Sequence, residues 1–260
     1  MRIYMINLQR RPDRLAIMTG RLNALGLNFT RIEAMDAQTA DIAALNTQFA
    51  PSGPLGAISP GDKCCTLSHL AAWKMLLAGG DSHAVILEDD LMIHEDARQL
   101  LSGAAWIPED VGVLKIETSI LPKQLLLVGP ARPVTQNRVV APILSKYIGA
   151  GGYILARRTA AALLDAAKKM TVPVDHFLFN PNNSPVAAWA KPHQLLPAVM
   201  VQTIPATGSD IDRRAYWPKG WPYIRRELVR SYYECRLLPA QIAALVRGRA
   251  KLVKVGYGAA

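Results

Sequence analysis

The stretch HAVILEDDLM, residues 83–92, runs from apolar residues straight into three carboxylates. The short apolar run at 84–87 is typical of a buried strand. Glu88, Asp89 and Asp90 follow it and therefore lie at the carboxyl end of that strand. Ligands of open α/β sheets bind just outside the carboxyl ends of the strands, so the stretch predicts a ligand site.

The segments around this strand predict an α/β fold with a mixed central sheet. Residues 2–8 are typical of a buried strand, and residues 9–26 carry apolar side chains at helical spacing before Gly26 ends the helix. Residues 28–36 predict a second strand, which completes a βαβ unit with parallel strands. Further predicted elements are helices at 63–77 and 157–170, a strand at 111–117, antiparallel strands within 125–140, and a last strand with a polar loop within 194–214.

Composition narrows the class of protein. The 260 residues are 50% hydrophobic, enough for one large domain or a domain with an appendage. Three cysteines without a C-x-x-C pair disfavour both a disulfide framework and a structural zinc site. The first residues lack the order of a secretory signal, and no run of about 18 apolar residues occurs. We therefore expect a cytoplasmic protein.

The positive charge is concentrated in the last part of the chain. Of a net charge of +10, residues 213–260 hold 11 Lys and Arg against 2 Asp and Glu. This extension predicts an aromatic loop at 213–223, a helix near 224–236 and a second helix from Pro239 to the end. Basic residues interleaved with Trp and Tyr favour an anionic membrane surface. The alternatives are packing of the aromatic residues on the main domain and binding of nucleic acid.

The three acids are candidate metal ligands. Side chains alternate along an extended segment, so Glu88 and Asp90 point the same way and Asp89 points the other way unless the strand end twists. Oxygen ligands suit Mg²⁺ or Mn²⁺ better than zinc. The alternative is that the acids cap a helix near His94 or form a solvated turn.

Other enzyme motifs fail on their spacing. The sequence has no second histidine for H-E-x-x-H, no G-x-G-x-x-G, no phosphate-binding G-x-x-x-x-G-K-[ST] and no G-x-S-x-G. Two other classes stay open on the residues alone. One is a metal-dependent phosphohydrolase, and the other is a non-enzymatic module that binds nucleic acid or a membrane.

Several stretches, taken in order, resemble the glycosyltransferases of family 25, whose bacterial members build lipopolysaccharide or lipooligosaccharide. They are INLQRRPDR at 6–14, RIEAMDA at 31–37, LSHLAAW at 67–73, AVILEDDL at 84–91, GAGGYILARRTAAALL at 149–164, VPVDHFL at 172–178, and PAVMVQ at 197–202 followed by GSDI at 208–211. The resemblance implies a GT-A type nucleotide-binding fold over residues 1–212, with residues 213–260 as a basic, mostly helical extension.

The resemblance also implies the reaction. We expect an inverting glycosyltransferase that moves a hexose, with galactose as the best candidate, from a UDP-sugar to a lipopolysaccharide or other lipid-linked glycan. Mn²⁺ or Mg²⁺ at Glu88 and Asp90, with Asp89 as a further candidate ligand, would hold the diphosphate. The basic extension would place the protein on the inner face of the cytoplasmic membrane, and no nucleic acid partner is expected.

The remaining candidates come from their positions in the predicted elements, and for Asp175 also from the family match. Asp175 is the candidate base for the acceptor hydroxyl, with a helix N-cap as its alternative role. Where the family has Gly-Glu and a small residue before a cysteine, this chain has Asp62 and Lys63, and Lys63 is a candidate phosphate contact. The candidate donor-binding residues are Asn7, Arg10, Arg11, Arg14, Ser68, His69, Gly152, Tyr153 and Gln202. The alternatives are that the arginines are solvated helix residues, that His69 is a core residue and that the glycine marks a bulge.

Overall fold

A mixed sheet of eight strands forms the centre of the computed structural model, which describes residues 1–119, 125–203 and 219–258. The strands are β1 (Arg2–Asn7), β2 (Thr30–Glu33), β3 (His83–Glu88), β4 (Leu91–Ile93), β5 (Val113–Lys115), β6 (Glu117–Ser119), β7 (Leu125–Val128), β8 (Arg132–Thr135), β9 (Arg138–Pro142), β10 (Gly152–Ala156), β11 (His193–Leu196), β12 (Met200–Gln202) and β13 (Lys251–Lys254). The order in the large sheet is β2-β1-β3-β10-β5-β11-β9-β8.

Helices connect and cover these strands. They are α1 (Pro12–Ala24), α2 (Ile42–Gln48), α3 (Pro60–Ala78), α4 (Ala97–Ser102), α5 (Arg157–Ala166), α6 (Val174–Phe179), α7 (Pro185–Ala190), α8 (Trp221–Cys235) and α9 (Leu238–Val246), with a 3₁₀ turn at Ala167–Lys169. None of the helices in the described ranges has the length and apolar character that a membrane crossing requires.

The pairing of the strands confirms the predicted α/β fold with a mixed central sheet. β1 pairs in parallel with both β2 and β3, so β1, α1 and β2 form the expected βαβ unit. β10 runs antiparallel to β3 and to β5, and β11 returns parallel to β5. The sheet is therefore parallel on one side of β10 and mixed on the other.

Both faces of the sheet are covered, which explains why the four positions of β3 from Ala84 to Leu87 are apolar and buried. Ile86 packs into one buried cluster with Trp73 of α3. Leu87, its neighbour on the opposite face, packs into a second cluster with Met18 of α1. Each fully buried side chain of this size stabilises the fold by about 1.5–3 kcal/mol. This packing fixes the end of β3 in place.

A small sheet, in the order β4-β12-β6, lies next to the end of β3. β12 runs antiparallel to β4, so that Gln202 faces Leu91, and parallel to β6, so that Gln202 faces Ser119. The segment at 111–117, predicted as one strand, is divided at Ile116 between this sheet and the large one. The small sheet thereby carries Gln202 to the acids that follow β3.

The C-terminal part differs from its prediction. The helix expected near 224–236 is confirmed as α8, but the second helix ends at Val246 and does not continue to the C-terminus. Gly248, in a left-handed conformation at φ 67°, follows the end of α9, and β13 then pairs antiparallel with β7. The predicted aromatic loop up to residue 218 and the polar loop from residue 204, including GSDI, lie outside the described residues.

Candidate active site

Two of the three acids converge at the end of β3. The Gln202 side chain donates through Nε2 to Glu88 Oε2 at 3.2 Å and to the two Asp90 oxygens at 3.2 and 3.1 Å. Thr203 supports the arrangement, since its backbone N–H and its hydroxyl both donate to the Asp90 carbonyl oxygen at 2.9 Å. Glu88 and Asp90 thus share one partner, in agreement with the alternation of side chains in the sequence.

Asp89 has a different set of partners. Its Oδ2 accepts from Asn7 Nδ2 at 2.6 Å, and its Oδ1 accepts from Arg14 at 3.3 Å. Asn7, at the end of β1, also donates to the Arg11 carbonyl oxygen and accepts from Arg31 Nε. Asn7 is buried and its amide is fully used, so it holds Asp89 in place.

A chain of buried hydrogen bonds supports Glu88 from behind. Trp73 Nε1 can only donate, and it donates to Tyr153 Oη at 2.7 Å. Tyr153 is fully buried and needs an acceptor for its own proton, which His69 Nδ1 provides at 2.9 Å. The His69 proton then lies on Nε2, which donates to Glu88 Oε1 at 3.1 Å. The chain has one direction and ends on a carboxylate oxygen.

Burial and mutual repulsion set the acidity of the pair. Burial is the largest influence on Glu88 and opposes its ionisation, but the interactions with His69 and the hydrogen bond from Cys65 together bring the pKa of Glu88 below its usual value. Burial, followed by the charge of Glu88, raises the pKa of Asp90 to about 8. Two carboxylates brought together in this way form a site that favours a cation. The oxygen donors fit Mg²⁺ or Mn²⁺.

A second grouping of metal-binding atoms lies beside the first. Cys65 Sγ, His69 Nε2 and Glu88 Oε1 all lie within 4.8 Å of one another. Burial raises the pKa of the Cys65 thiol well above its usual value. In this structure Cys65 Sγ and His69 Nε2 both contact Glu88 Oε1, at 3.7 and 3.1 Å, so the three groups form one hydrogen-bonded cluster.

Asp175 lies on α6 near the acid pair. It is 8% exposed, and its Oδ1 accepts from the His176 backbone N–H at 2.7 Å. Its charge raises the pKa of Cys65 and opposes the ionisation of Glu88, which places the carboxylate in the same neighbourhood. The N-cap of α6 is Pro173. Asp175 therefore lies inside the first turn, where its carboxylate can face a ligand.

Two of the candidate arginines form ion pairs apart from the acid pair. Arg10 Nε binds Asp36 Oδ2 at 2.7 Å. Arg11 binds Asp13 at 2.8 Å, and its hydrogen bond lowers the pKa of Asp13 to about 2. Arg14, by its contact with Asp89, is the member of the set that reaches the carboxylate cluster.

Ser68 and Gly152 contribute to packing around the site. The Ser68 hydroxyl donates to the Cys64 carbonyl oxygen at 2.8 Å and accepts the Met35 N–H at 2.9 Å. Gly152 lies in β10, where an added Cβ would come within 3.2 Å of Glu117. Glycine at this position allows β10 to approach the small sheet closely.

Two lysines are buried near these elements. Lys63, the candidate phosphate contact, donates instead to Asn46 Oδ1 at 2.6 Å. Lys115 donates to both Glu117 and the Gly149 carbonyl oxygen, and its side chain is only 1% exposed. This ion pair was not predicted from the sequence. The signal was Lys and Glu at alternate positions of a segment predicted to be a buried strand.

Comparisons with known proteins agree on one family. The family described as "Glycosyltransferase family 25 (LPS biosynthesis protein)" matches residues 1–178. The lacto-N-neotetraose biosynthesis glycosyltransferase LgtB of Neisseria meningitidis serogroup A is 25% identical over 70% of this chain and 68% of its own. LgtB of Neisseria gonorrhoeae is 28% identical over 48% of each chain. The lipooligosaccharide biosynthesis protein lex-1 of Haemophilus influenzae is 26% identical over 58% of this chain and 52% of its own.

Solved structures show only a loose likeness. The galactosyltransferase LgtC has a TM-score of 0.39 at 11% identity, with 89% of this chain and 95% of that chain covered. A glycosyltransferase involved in glycosylation of the major capsid of PBCV-1 also has a TM-score of 0.39, at 8% identity, with 88% and 98% covered. The chain spans about half the length of two of the relatives above. On the match that covers residues 1–178, the chain belongs to glycosyltransferase family 25.

Proposed function

We propose that this chain is an inverting glycosyltransferase with a GT-A type donor site, which transfers a hexose from a UDP-sugar to a lipopolysaccharide or other glycan. Galactose is the first candidate for the hexose. Family membership supports the reaction class. The observation that carries the proposal is the convergence of Glu88 and Asp90 on one side-chain amide at the carboxyl end of β3.

Glu88 and Asp90 are the proposed ligands of a divalent cation, Mn²⁺ or Mg²⁺. When bound, the cation neutralises the charge that develops on the leaving diphosphate. Asp89 lies outside this ligand set because Asn7 and Arg14 already bind both of its oxygens. Arg14, next to the acids, is the proposed cationic contact for the donor.

The chain's own residues supply the rest of the reaction. In the proposal, Asp175 accepts the proton of the acceptor hydroxyl on a carboxylate oxygen. The acceptor oxygen attacks the anomeric carbon from the face opposite the leaving UDP, and the bond from that carbon to the phosphate oxygen breaks. Attack from the opposite face inverts the configuration. His69 and Tyr153 take no part in proton transfer and hold Glu88 in position through their hydrogen bonds.

Donor turnover tests this proposal. UDP release is measured with a panel of UDP-sugars, with Mn²⁺ or with chelator, for the wild type and Asp90→Asn. Asp110→Asn is the matched control, because Asp110 is an exposed carboxylate whose partner is Arg132. We expect metal-dependent release from one donor, lost in Asp90→Asn and kept in the control. A rate of UDP release that is unchanged by the chelator and by Asp90→Asn would refute the metal site. Phosphate release from simple esters would favour the phosphohydrolase.

We also propose that the C-terminal extension binds the inner face of the cytoplasmic membrane, where a lipid-linked acceptor would be found. Trp221, Ile224, Leu228 and Tyr232 lie on one face of α8 and are 70, 50, 63 and 67% exposed. Among the described cations nearby, Lys219 and Arg225 form no ion pair with a described residue, whereas Arg226 and Arg230 pair with acids of α8 itself. Apolar and aromatic side chains flanked by cations suit an anionic interface.

Sedimentation with vesicles tests the membrane contact. We expect binding to vesicles of anionic phosphatidylglycerol, weaker binding to neutral phosphatidylcholine, and loss of binding in the double variant Trp221→Ser with Leu228→Ser. The control is Ile17→Ser, because Ile17 is an apolar residue of α1 that is 52% exposed and lies outside the extension. If the double variant and the wild type bound anionic vesicles equally, the proposed membrane contact would be contradicted. Tight binding to DNA without binding to vesicles would also contradict it.

A further inference from the structure

A cavity of about 560 Å³ lies between the main domain and the inner face of α8. Its walls come from the loop at Ser52–Pro54, from Thr171, from Asn183 and Pro185, and from Val229, Tyr233 and Arg236. The volume is typical of pockets that bind small ligands, which measure roughly 300–1,000 Å³. Among the described residues, its wall includes none of those proposed for the donor or the metal.

Asn183 is the polar group of this cavity that lacks a partner. The residue is only 3% exposed, yet neither its Nδ2 nor its Oδ1 forms a hydrogen bond within the described part of the chain. A buried amide without partners is unfavourable for folding and needs an explanation. Since it offers one donor group and one acceptor group, it matches neighbouring hydroxyls of a sugar, which can both accept and donate.

Arg236 gives the same cavity a positive charge. Its guanidinium lies over the Tyr233 ring at 5.2 Å and donates to the Pro181 carbonyl oxygen at 3.2 Å. No carboxylate of the described residues forms an ion pair with it. A planar guanidinium held on an aromatic ring is suited to bind a carboxylate or a phosphate.

The wall that α8 contributes is fixed in place. Arg226 Nε donates to the Leu55 carbonyl oxygen at 2.9 Å, at one end of the cavity. Asn182 Nδ2 donates to the Glu234 carbonyl oxygen at 2.7 Å, next to Asn183. These contacts pre-form the cavity, so a ligand would not need to order α8 on binding.

The cavity also lies beside the helix that carries the proposed base. Thr171 precedes α6 and Asn183 follows it, so both ends of the segment that presents Asp175 reach the cavity wall. We infer that the cavity is a subsite for an acidic sugar of the acceptor glycan, with Asn183 binding its hydroxyls and Arg236 its carboxylate or phosphate. This inference rests on the proposed function, since it places an acceptor in a transferase.

Binding of small sugars tests the subsite. Glucuronic acid, glucose 6-phosphate and glucose are titrated by saturation-transfer NMR into the wild type, Arg236→Gln, Asn183→Leu and the control Arg247→Gln. Inorganic phosphate, which has no protons that this measurement detects, is added as a competitor of the bound sugar. We expect at least one acidic sugar to bind. Comparing the affinities of glucuronic acid and glucose 6-phosphate shows whether the subsite prefers a carboxylate or a phosphate. Arg236→Gln should weaken that sugar about tenfold through loss of a charge-assisted contact. Asn183→Leu should abolish its binding, and the control should keep it.

Folding and catalysis are followed in the same variants. Asn183→Leu removes an unsatisfied amide at similar volume, so its melting temperature should equal or exceed that of the wild type. Absence of binding by every sugar would overturn the subsite, and so would binding that is unchanged in both Arg236→Gln and Asn183→Leu. Inorganic phosphate that binds with the same affinity as glucose 6-phosphate would also overturn it, because the sugar would then contribute nothing. UDP release from the donor into water should be unchanged in both variants. If UDP release is absent even from the wild type supplied with a truncated lipopolysaccharide acceptor, while Arg236-dependent sugar binding persists, the catalytic proposal fails and the sugar-binding site stands.

Discussion

His69 Nε2 donates to Glu88 Oε1 across 3.1 Å, at the end of a hydrogen-bond chain that begins at Trp73. The proton on His69 Nε2 depends on Tyr153, whose hydroxyl donates to Nδ1. The buried hydrogen-bond chain therefore fixes one oxygen of Glu88, while Gln202 binds the other. If this hydrogen-bond chain positions Glu88, its loss should lower kcat and leave the KM for the donor almost unchanged.

Tyr153→Phe should lower kcat by about tenfold and leave the KM for the donor within about twofold, because Glu88 loses its fixed position while the pocket is unchanged. Two buried groups lose a partner, which should also lower the free energy of unfolding by about 1–3 kcal/mol. Tyr147→Phe is the matched control, since Tyr147 is a buried tyrosine bonded to Thr118 at 2.6 Å. Steady-state kinetics and chemical denaturation measure both effects. Equal loss of kcat in the two variants would mean that Tyr153 is only structural.

Asn7→Ala should lower the free energy of unfolding by about 1–3 kcal/mol, because Asp89 loses its shortest hydrogen bond in a buried position. Urea denaturation measures the change. The control is Asn23→Ala at an exposed position of α1, which should shift stability by less than about 0.5 kcal/mol. If the two variants had the same free energy of unfolding, the hydrogen bond between Asn7 and Asp89 would contribute nothing to stability.

Two glycines should respond in opposite directions to alanine. Gly20 lies in the exposed face of α1 with nothing within 4 Å of an added Cβ, so Gly20→Ala should stabilise the protein by about 0.5–1 kcal/mol. At Gly53 an added Cβ would lie 1.9 Å from the Thr171 carbonyl oxygen, so Gly53→Ala should destabilise it. Thermal unfolding measures both. A neutral Gly53→Ala would contradict the close packing of this loop on Thr171.

The acid cluster was predictable from sequence because its geometry is local. Strand alternation predicted that Glu88 and Asp90 point the same way, and both contact Gln202, although Asp89 and Asp90 lie in the turn that follows β3. The βαβ pattern predicted that the strand end lies at the edge of the sheet. The sequence also predicted α8. These features depend on residues that are close together in the chain.

Features that depend on distant residues were not predicted. The second C-terminal helix was extended too far because the pairing of β13 with β7 joins segments more than 100 residues apart. His69 and Tyr153 were candidate donor-binding residues, and the sequence did not predict their hydrogen bond to each other or the bond from His69 to Glu88. Asn183 gave no sequence signal, since its unsatisfied amide and the cavity beside it exist only when α8 packs against the main domain.

The configuration of the product tests the central claim most directly. UDP-α-galactose labelled with ¹³C at the anomeric carbon is incubated with truncated lipopolysaccharide glycans, Mn²⁺ and either the wild type or Asp175→Asn. We expect NMR to show a β-linked galactose from the wild type and a rate lower by about 10²–10⁴-fold from Asp175→Asn, as for loss of a general base. An α-linked product, or a β-linked product formed by Asp175→Asn at the wild-type rate, would contradict the account.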